Sequence, residues 1–142
     1  MRLAERTFTD TDQQRFASTS GDHNPMHVDA LLARRTQAGS QVVHGIHLLL
    51  WTLDALAAAQ PELPPLCKLR AQFSRFVYLN EHAEVVLMQQ NSTRARLSVA
   101  VNGIARSKFT FEFGDVVGHV PDWLETSLEE IAFAPSRPLA SY

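Results

Sequence analysis

The chain has 142 residues, which is enough for one domain with a hydrophobic core of its own. Hydrophobic residues make up 45% and charged residues 20%, and the formal net charge of −2 comes without a basic run. These values are typical of an ordinary globular domain. They argue against nucleic acid or an anionic membrane as the main partner. The one cysteine, Cys67, excludes an internal disulfide and a four-cysteine zinc site, and its strand-like surroundings predict a buried, unreactive thiol.

Targeting signals are not evident. Residues 1–11 lack the hydrophobic run of a secretory signal. The most apolar segment, residues 46–59, is interrupted by His47 and Asp54 and is shorter than the roughly 20 residues that span a bilayer. We therefore expect a cytoplasmic protein without a membrane partner.

The chain is predicted to open with a strand over residues 3–9, followed by a helix. Thr11 with Gln14 three residues later has the form of a capping box, which predicts the start of that helix. The helix is predicted to stop near Gly21.

A polar loop, a short helix and a long helix follow. The loop covers residues 18–27, and its Asn24-Pro25 step favours an extended or turn backbone. Residues 29–35 are predicted as a short helix. Residues 44–60 are predicted as a long helix that is apolar on nearly every face, which is typical of a helix inside a protein.

From residue 68 onwards the hydrophobic period changes from helical to two. The alternation predicts strands over residues 68–74, 85–90, 94–101 and 108–113. A loss of phase at residues 75–77 indicates a bulge, and Asn102-Gly103 is a strong hairpin signal. The sequence thus predicts an α+β fold in which an antiparallel sheet curls around one long helix.

The candidate chemistry lies first in the loop Ser20-Gly21-Asp22-His23-Asn24-Pro25-Met26-His27. Asp22 and His27 can hold one water between a carboxylate and an imidazole, a pair suited to general acid–base catalysis. Asn24 can bond the backbone of the turn or orient one member of the pair. Taken alone, an aspartate-rich turn with a histidine is more often a solvated loop.

A second candidate lies at Val42-Val43-His44-Gly45, where the long helix begins. The first N–H groups of a helix have no partner within it, and the helix dipole makes that end electropositive. Gly45 lets a ligand approach its N–H closely, as an oxyanion hole requires. Alone, the glycine could equally serve close packing.

Together these motifs resemble those of the MaoC-like dehydratases, a family that includes the (R)-specific enoyl-CoA hydratases. The resemblance implies a hot-dog domain, which we assign to residues 1–114. The residue pattern predicts a C-terminal extension over 115–142 with a short helix at 122–131. The resemblance also implies Asp22 and His27 as catalytic residues, Gly45 as the oxyanion donor and Asn24 as a support of the catalytic loop. His44 and His47 are further candidates for substrate binding, although His47 could instead be a core histidine.

The reaction that the resemblance implies is the interconversion of a trans-2-enoyl thioester and an (R)-3-hydroxyacyl thioester. The partner would be an acyl-CoA or an acyl carrier protein thioester, and the chain would form a homodimer. No metal or other cofactor is expected. Three positions depart from the family pattern: Leu53 stands where a hydroxyl residue is common, Glu81 lies in a turn that differs from that of relatives, and His47 stands where an aliphatic side chain would be usual.

Three other readings remain open at this stage. The spacing of His23 with His27, and of His44 with His47, could suit metal ligands, although Pro25 separates the first pair. A hot-dog thioesterase would release free thiol from acyl-CoA. A non-catalytic domain would bind the thioester without converting it.

Overall fold

The computed structural model describes residues 1–114. The expected C-terminal extension over 115–142, with its helix at 122–131, lies outside the described residues. The elements are, in chain order, β1 (Arg2–Thr7), α1 (Asp10–Ser20), α2 (Pro25–Val28), α3 (Ala30–Ala33), α4 (Gly45–Ala59), β2 (Leu66–Phe73), β3 (His82–Gln90), β4 (Arg94–Val101) and β5 (Ile104–Phe113).

The five strands form one antiparallel sheet in the order β1-β3-β4-β5-β2. The hairpin between β4 and β5 turns at Asn102 and Gly103, whose φ angles of 52° and 76° are both positive. That is the backbone of a type I′ turn, which asparagine and glycine favour. Among the described strands, this order leaves β1 and β2 at the two edges, so each has one strand neighbour there.

The core lies between α4 and the inner face of the sheet. Leu48 and Leu56 of α4 are buried against alternate residues of the strands, among them Leu97 and Phe109. The predicted α+β class, with a sheet wrapped around a long helix, is confirmed. The helix is not covered on all sides, however, because Ile46 remains 55% exposed.

Strand β2 is the least covered part of the sheet. Seven of its eight residues are exposed, and they include Leu69 and Phe73, which are 47% and 48% exposed. Both lie on the face that carries the core in the neighbouring strands, since Leu69 pairs with Phe111 of β5. The expected burial of Cys67 is wrong for the same reason: it lies on this uncovered edge strand and is exposed.

The start of α1 differs from the prediction. The N-cap is Thr9 and not Thr11, with the capping box closed by Asp12. Thr9 has the extended backbone that an N-cap needs, and its N–H donates to Asp12 Oδ2 at 2.9 Å. The helix begins earlier because Phe8, at the end of β1, is fully buried and fixes where the chain leaves the sheet.

Two further predictions need correction. The predicted helix over residues 29–35 is shorter: Asp29 ends α2 and caps α3, and its Oδ1 accepts the N–H groups of Leu31 and Leu32. The predicted bulge at residues 75–77 is absent, because β2 ends at Phe73. The irregular register in β2 lies instead between Leu66 and Lys68.

The register also collects positive charge on the outer face of the sheet. Alternate positions of three strands place five cations there, namely Lys68, Arg70, Arg94, Arg96 and Lys108. Glu112 lies among them and pairs with Arg94 at 2.6 Å. Its hydrogen bond with Arg94 holds the pKa of Glu112 below its usual range. The sequence has no basic run from which this positively charged face could have been predicted.

Candidate active site

The loop after α1 presents Asp22. Gly21 ends the helix with a φ of 79°, a left-handed conformation that glycine adopts without strain. The next N–H, that of Asp22, donates to Ser20 Oγ at 3.2 Å. Asp22 Oδ1 accepts the N–H of Asn24 at 3.1 Å, which leaves Oδ2 available. The side chain of Asp22 is 51% exposed, so it can reach both solvent and a ligand.

Asn24 and Pro25 turn the chain into α2. Asn24 Oδ1 accepts the N–H of Met26 at 3.1 Å, and Pro25 occupies the start of the helix, where its missing N–H costs nothing. Asn24 therefore holds the turn through the backbone, the first of the two roles that its position suggested.

His27 lies on α2 and faces back towards Asp22. Its Nδ1 lies 2.9 Å from the carbonyl oxygen of Val42. A carbonyl can only accept, so Nδ1 carries the proton and the neutral ring keeps its lone pair on Nε2. That Nε2 lies 4.0 Å from Asp22 Oδ2. The structure thus brings together the two residues that the loop motif singled out.

The 4.0 Å between His27 Nε2 and Asp22 Oδ2 is too long for a direct hydrogen bond and suits a bridging water. The side chain of His27 is 12% exposed, against 51% for Asp22. His27 is thus nearly buried, whereas Asp22 is open to solvent. A water between them would contact a proton acceptor and would lie on the side from which a substrate can enter.

His44 brings a second imidazole to the same carboxylate. Its Nε2 lies 3.9 Å from Asp22 Oδ2 and 3.0 Å from the backbone oxygen of Asp22. The rings of His27 and His44 are stacked, with centroids 4.0 Å apart. His44 is 1% exposed. It is therefore the buried member of the cluster of Asp22, His27 and His44. The sequence had suggested it only as a candidate for substrate binding.

The sequence did not predict that Gln13 contacts His44. This glutamine of α1 is fully buried, and its Oε1 lies 3.0 Å from the backbone nitrogen and 2.7 Å from Nδ1 of His44. The available signal was its helical spacing, because Gln13, Phe16 and Ala17 form the buried face of α1. A polar residue on that face needs a partner.

Burial lowers the pKa of His44, and the neighbouring imidazole of His27 acts in the same direction. The backbone oxygen and carboxylate of Asp22 oppose this lowering without cancelling it. His44 is therefore neutral over a wider pH range than a solvent-exposed histidine. A neutral ring can accept a proton from a neighbouring group.

Gly45 is the first residue of α4, so its N–H has no carbonyl four residues earlier in the helix to bond. His44, at the N-cap, provides no side-chain cap. The ring of Phe73 lies over the glycine: a Cβ at position 45 would be 3.0 Å from Phe73 Cε1. Position 45 therefore has room for the hydrogen of glycine, whereas a larger side chain would crowd the ring of Phe73.

His47 packs between aromatic rings and is not among the donor atoms of Asp22, His27 and His44 that lie close together. It is 1% exposed and stacks on Phe16 with ring centroids 4.5 Å apart. Phe8 packs edge-on against it at 5.0 Å. These contacts are those of a core histidine.

Donor atoms of Asp22, His27 and His44 lie within 4.8 Å of one another, close enough to consider a metal ion. The geometry fits poorly, because a metal binds in the plane of an imidazole along the nitrogen lone pair. The two rings are stacked with an angle of 23° between their planes, so their lone pairs run side by side and do not converge. Within residues 1–114, neither His23 nor His47 belongs to this group of three.

A surface groove of about 510 Å³ begins at Phe73 and is lined by Phe76, Tyr78 and Arg106, with Ser74 and Arg75. Tyr78 also pairs with Val42 in an isolated bridge, and Val42 is the residue whose carbonyl holds His27. The groove therefore lies next to Phe73, which covers Gly45, and close to Val42, whose carbonyl oxygen contacts His27. Its wall of aromatic rings offers apolar surface to a ligand.

Within residues 1–114, no helix combines the length and apolar character needed to cross a membrane.

Comparison with known proteins gives a family and a fold. The family described as MaoC like domain matches residues 2–108. No curated protein sequence matches the chain.

Three solved structures illustrate the likeness. An (R)-hydratase from Pseudomonas aeruginosa is 24% identical with a TM-score of 0.56, over 83% of this chain and 85% of the other. An (R)-hydratase from A. caviae involved in PHA biosynthesis is 21% identical with a TM-score of 0.56, over 80% and 93%. A MaoC-like dehydratase from Rhodospirillum rubrum is 17% identical with a TM-score of 0.61, over 77% and 84%. At these identities the likeness establishes the hot-dog fold alone.

Proposed function

The chain belongs to the MaoC-like domain family, and from that premise we propose that it hydrates a trans-2-enoyl thioester to the (R)-3-hydroxyacyl thioester and catalyses the reverse dehydration. The observation that carries the proposal is the gap of 4.0 Å between Asp22 Oδ2 and His27 Nε2. It places a carboxylate and an imidazole where one water can touch both.

In the hydration direction, the bridging water loses a proton to Asp22 or His27 as its oxygen bonds to the β-carbon. The electron pair of the carbon–carbon double bond moves towards the thioester carbonyl. The α-carbon then takes up a proton from the protonated member of the pair, so one water is added and no proton is lost. General acid–base groups in such a position accelerate a reaction by about 10²–10⁴.

Gly45 supplies the second half of the mechanism. Its N–H at the start of α4 is a fixed donor at the positive end of a helix dipole. Aimed at the thioester oxygen, it would stabilise the enolate-like charge that develops as water adds. The aromatic groove beside Phe73 would receive the acyl chain, with coenzyme A or an acyl carrier protein holding the thioester. The chemistry needs no redox cofactor.

The uncovered edge at β2 supports a homodimer. Strand β2 lies at an edge of the sheet, so one side of its backbone has no strand partner among the described residues, and its Leu69 and Phe73 are about half exposed. Both features are typical of a strand that pairs with another chain. A second copy could pair its own β2 there in antiparallel orientation and extend the sheet. Because Phe73 also covers Gly45, that interface would lie beside the catalytic site.

The test is hydration of crotonyl-CoA, followed as loss of the enoyl-thioester ultraviolet absorbance. We expect the wild type to be active and Asp22→Asn and His27→Ala each to lose about 10²–10⁴ in kcat/KM. His23→Ala is the matched control, because His23 is an exposed histidine of the same loop outside the cluster. It should keep wild-type activity.

The other outcomes separate the rival functions. Release of free thiol from acyl-CoA would identify a thioesterase. Binding of crotonyl-CoA, and of longer and carrier-bound enoyl thioesters, without any turnover would identify a binding domain. Full activity in both Asp22→Asn and His27→Ala would refute the catalytic pair.

A further inference from the structure

Gln13 joins α1 to the start of α4 through one buried oxygen. Its Oε1 lies 3.0 Å from the backbone nitrogen of His44 and 2.7 Å from Nδ1 of the same residue. A backbone N–H can only donate, so the atom that faces it must be the amide oxygen and not the amide nitrogen. The backbone N–H of His44 thereby fixes the orientation of the Gln13 carboxamide, because an N–H cannot accept a hydrogen bond.

This orientation decides where the proton of neutral His44 lies. An acceptor oxygen 2.7 Å away favours the hydrogen on Nδ1, which leaves Nε2 with its lone pair. Nε2 lies 3.0 Å from the backbone oxygen of Asp22, which by itself would favour a proton on Nε2. The two oxygens therefore compete for one proton, and the shorter contact belongs to Gln13.

We propose that Gln13 is a positioning residue that holds His44 in the Nδ1–H tautomer, so that Nε2 of His44 stands as a proton acceptor beside the carboxylate of Asp22. The 3.9 Å between His44 Nε2 and Asp22 Oδ2 lets a proton pass from a protonated Asp22 through a small movement of the exposed carboxyl. His44 then holds the proton that Asp22 has taken from water while the carboxylate is restored, and it returns the proton through Asp22 for delivery to the α-carbon.

The doubly protonated ring fits the same surroundings. Its Nδ1–H would still donate to Gln13, and its Nε2–H would donate to the backbone oxygen of Asp22 at 3.0 Å. Around the ring, the titratable groups are Asp22, the stacked His27 and the exposed His23. Phe16 of α1 covers the other side with centroids 4.8 Å apart and carries no charge. The two histidines oppose the extra proton and Asp22 favours it, so the proton would be held only transiently.

The tautomer can be tested without any assay of activity, through the ¹⁵N shifts of the His44 ring in the full chain at a pH where the ring is neutral. We expect Nδ1 to be protonated and Nε2 bare in the wild type. In Gln13→Met the order should reverse, because the oxygens of Asp22, which face Nε2, then remain as acceptors while Nδ1 has lost its own. The matched control is Gln14→Met, one residue further along α1, where the glutamine is exposed and its Nε2 donates to Val28 at 2.9 Å; it should leave the wild-type tautomer. A wild-type ring protonated on Nε2, or an unchanged tautomer in Gln13→Met, would overturn the proposal.

Gln13→Glu is the second variant, since it keeps the shape of the side chain should Gln13→Met fail to fold. A carboxylate beside Nδ1 favours the charged ring, so the pKa of His44 measured by NMR should rise by one unit or more. An unchanged His44 pKa in this variant would contradict the contact on which the proposal stands.

The catalytic consequence rests on the proposed hydratase function, and kinetics test it separately. We expect Gln13→Met to lower kcat by tenfold or more with little change in KM, and Gln13→Glu to move the acid limb of the kcat profile to higher pH. If the wild type proves inactive on every thioester, the hydratase proposal fails while the tautomer result still stands or falls on its own. If the tautomer reverses but kcat does not change, His44 takes no part in the proton transfer.

Discussion

Gly45→Ala separates the oxyanion role of the first residue of α4 from its role in packing. The added Cβ would lie 3.0 Å from Phe73 Cε1 and 3.1 Å from Phe73 Cζ, about half an ångström inside an ordinary carbon–carbon contact. The Phe73 side chain is 48% exposed, so its ring can turn outwards into solvent. We expect this adjustment to cost about 1 kcal/mol. The higher helix propensity of alanine offsets part of it, which leaves the free energy of unfolding within about 1 kcal/mol of the wild type.

Activity should respond much more strongly than stability. The methyl group and the displaced ring would occupy the space through which a thioester oxygen approaches the Gly45 N–H. Loss of one oxyanion donor costs about 10²–10³ in kcat, equivalent to roughly 3–4 kcal/mol. We therefore expect kcat/KM for crotonyl-CoA to fall by about 10². Urea unfolding followed by tryptophan fluorescence gives stability, and the ultraviolet hydration assay gives activity.

The double variant Gly45→Ala/Phe73→Leu serves as the control. It removes the ring overlap, so it should recover any stability lost through crowding but not the activity, because the methyl group still stands beside the N–H. Wild-type activity in the single variant, with unchanged stability, would refute the assignment of Gly45 as the donor. Recovery of full activity in the double variant would show that Phe73 alone limits access.

Two further predictions concern packing and assembly. His47→Ala should lower the free energy of unfolding by about 3 kcal/mol through loss of a buried ring between Phe16 and Phe8, yet leave kcat/KM per folded molecule within about threefold; a far larger loss of activity would return His47 to the substrate site. Leu69→Asp places a charge on the uncovered edge strand and should convert the proposed dimer to monomer in size-exclusion chromatography with light scattering, whereas Met88→Asp, on the outer face with the cations, should leave it dimeric. A dimer that survives Leu69→Asp would place the interface elsewhere.

The parts of the site that the sequence predicted are those whose chemistry is local. The turn at Asn24-Pro25 and the start of the long helix at Gly45 follow from backbone preferences over a few residues, and the structure has both. The Asn102-Gly103 hairpin is a further example, with both residues at positive φ. The family motif could be recognised for the same reason: it is a continuous string of residues that carries its own geometry.

Some local predictions were wrong where the rest of the fold overruled them. Thr11 and Gln14 have the spacing of a capping box, but the buried Phe8 ends the preceding strand early enough for Thr9 and Asp12 to form it instead. Cys67 has strand-like neighbours, yet its strand lies at an uncovered edge. Sequence alternation identifies a strand but not its place in the sheet.

The sequence by itself determined most of the helices and strands, the turn of the Asp22 loop and the glycine at the start of the central helix, because each depends on residues within one or two turns of one another. Only the tertiary structure decided that Gln13 supports His44, and that His44 lies under Asp22 while His47 lies in the core. It also decided that cations from three separate strands share one face. These relations join residues of separate helices and strands, and their geometry is set by how those elements pack, which no local pattern specifies.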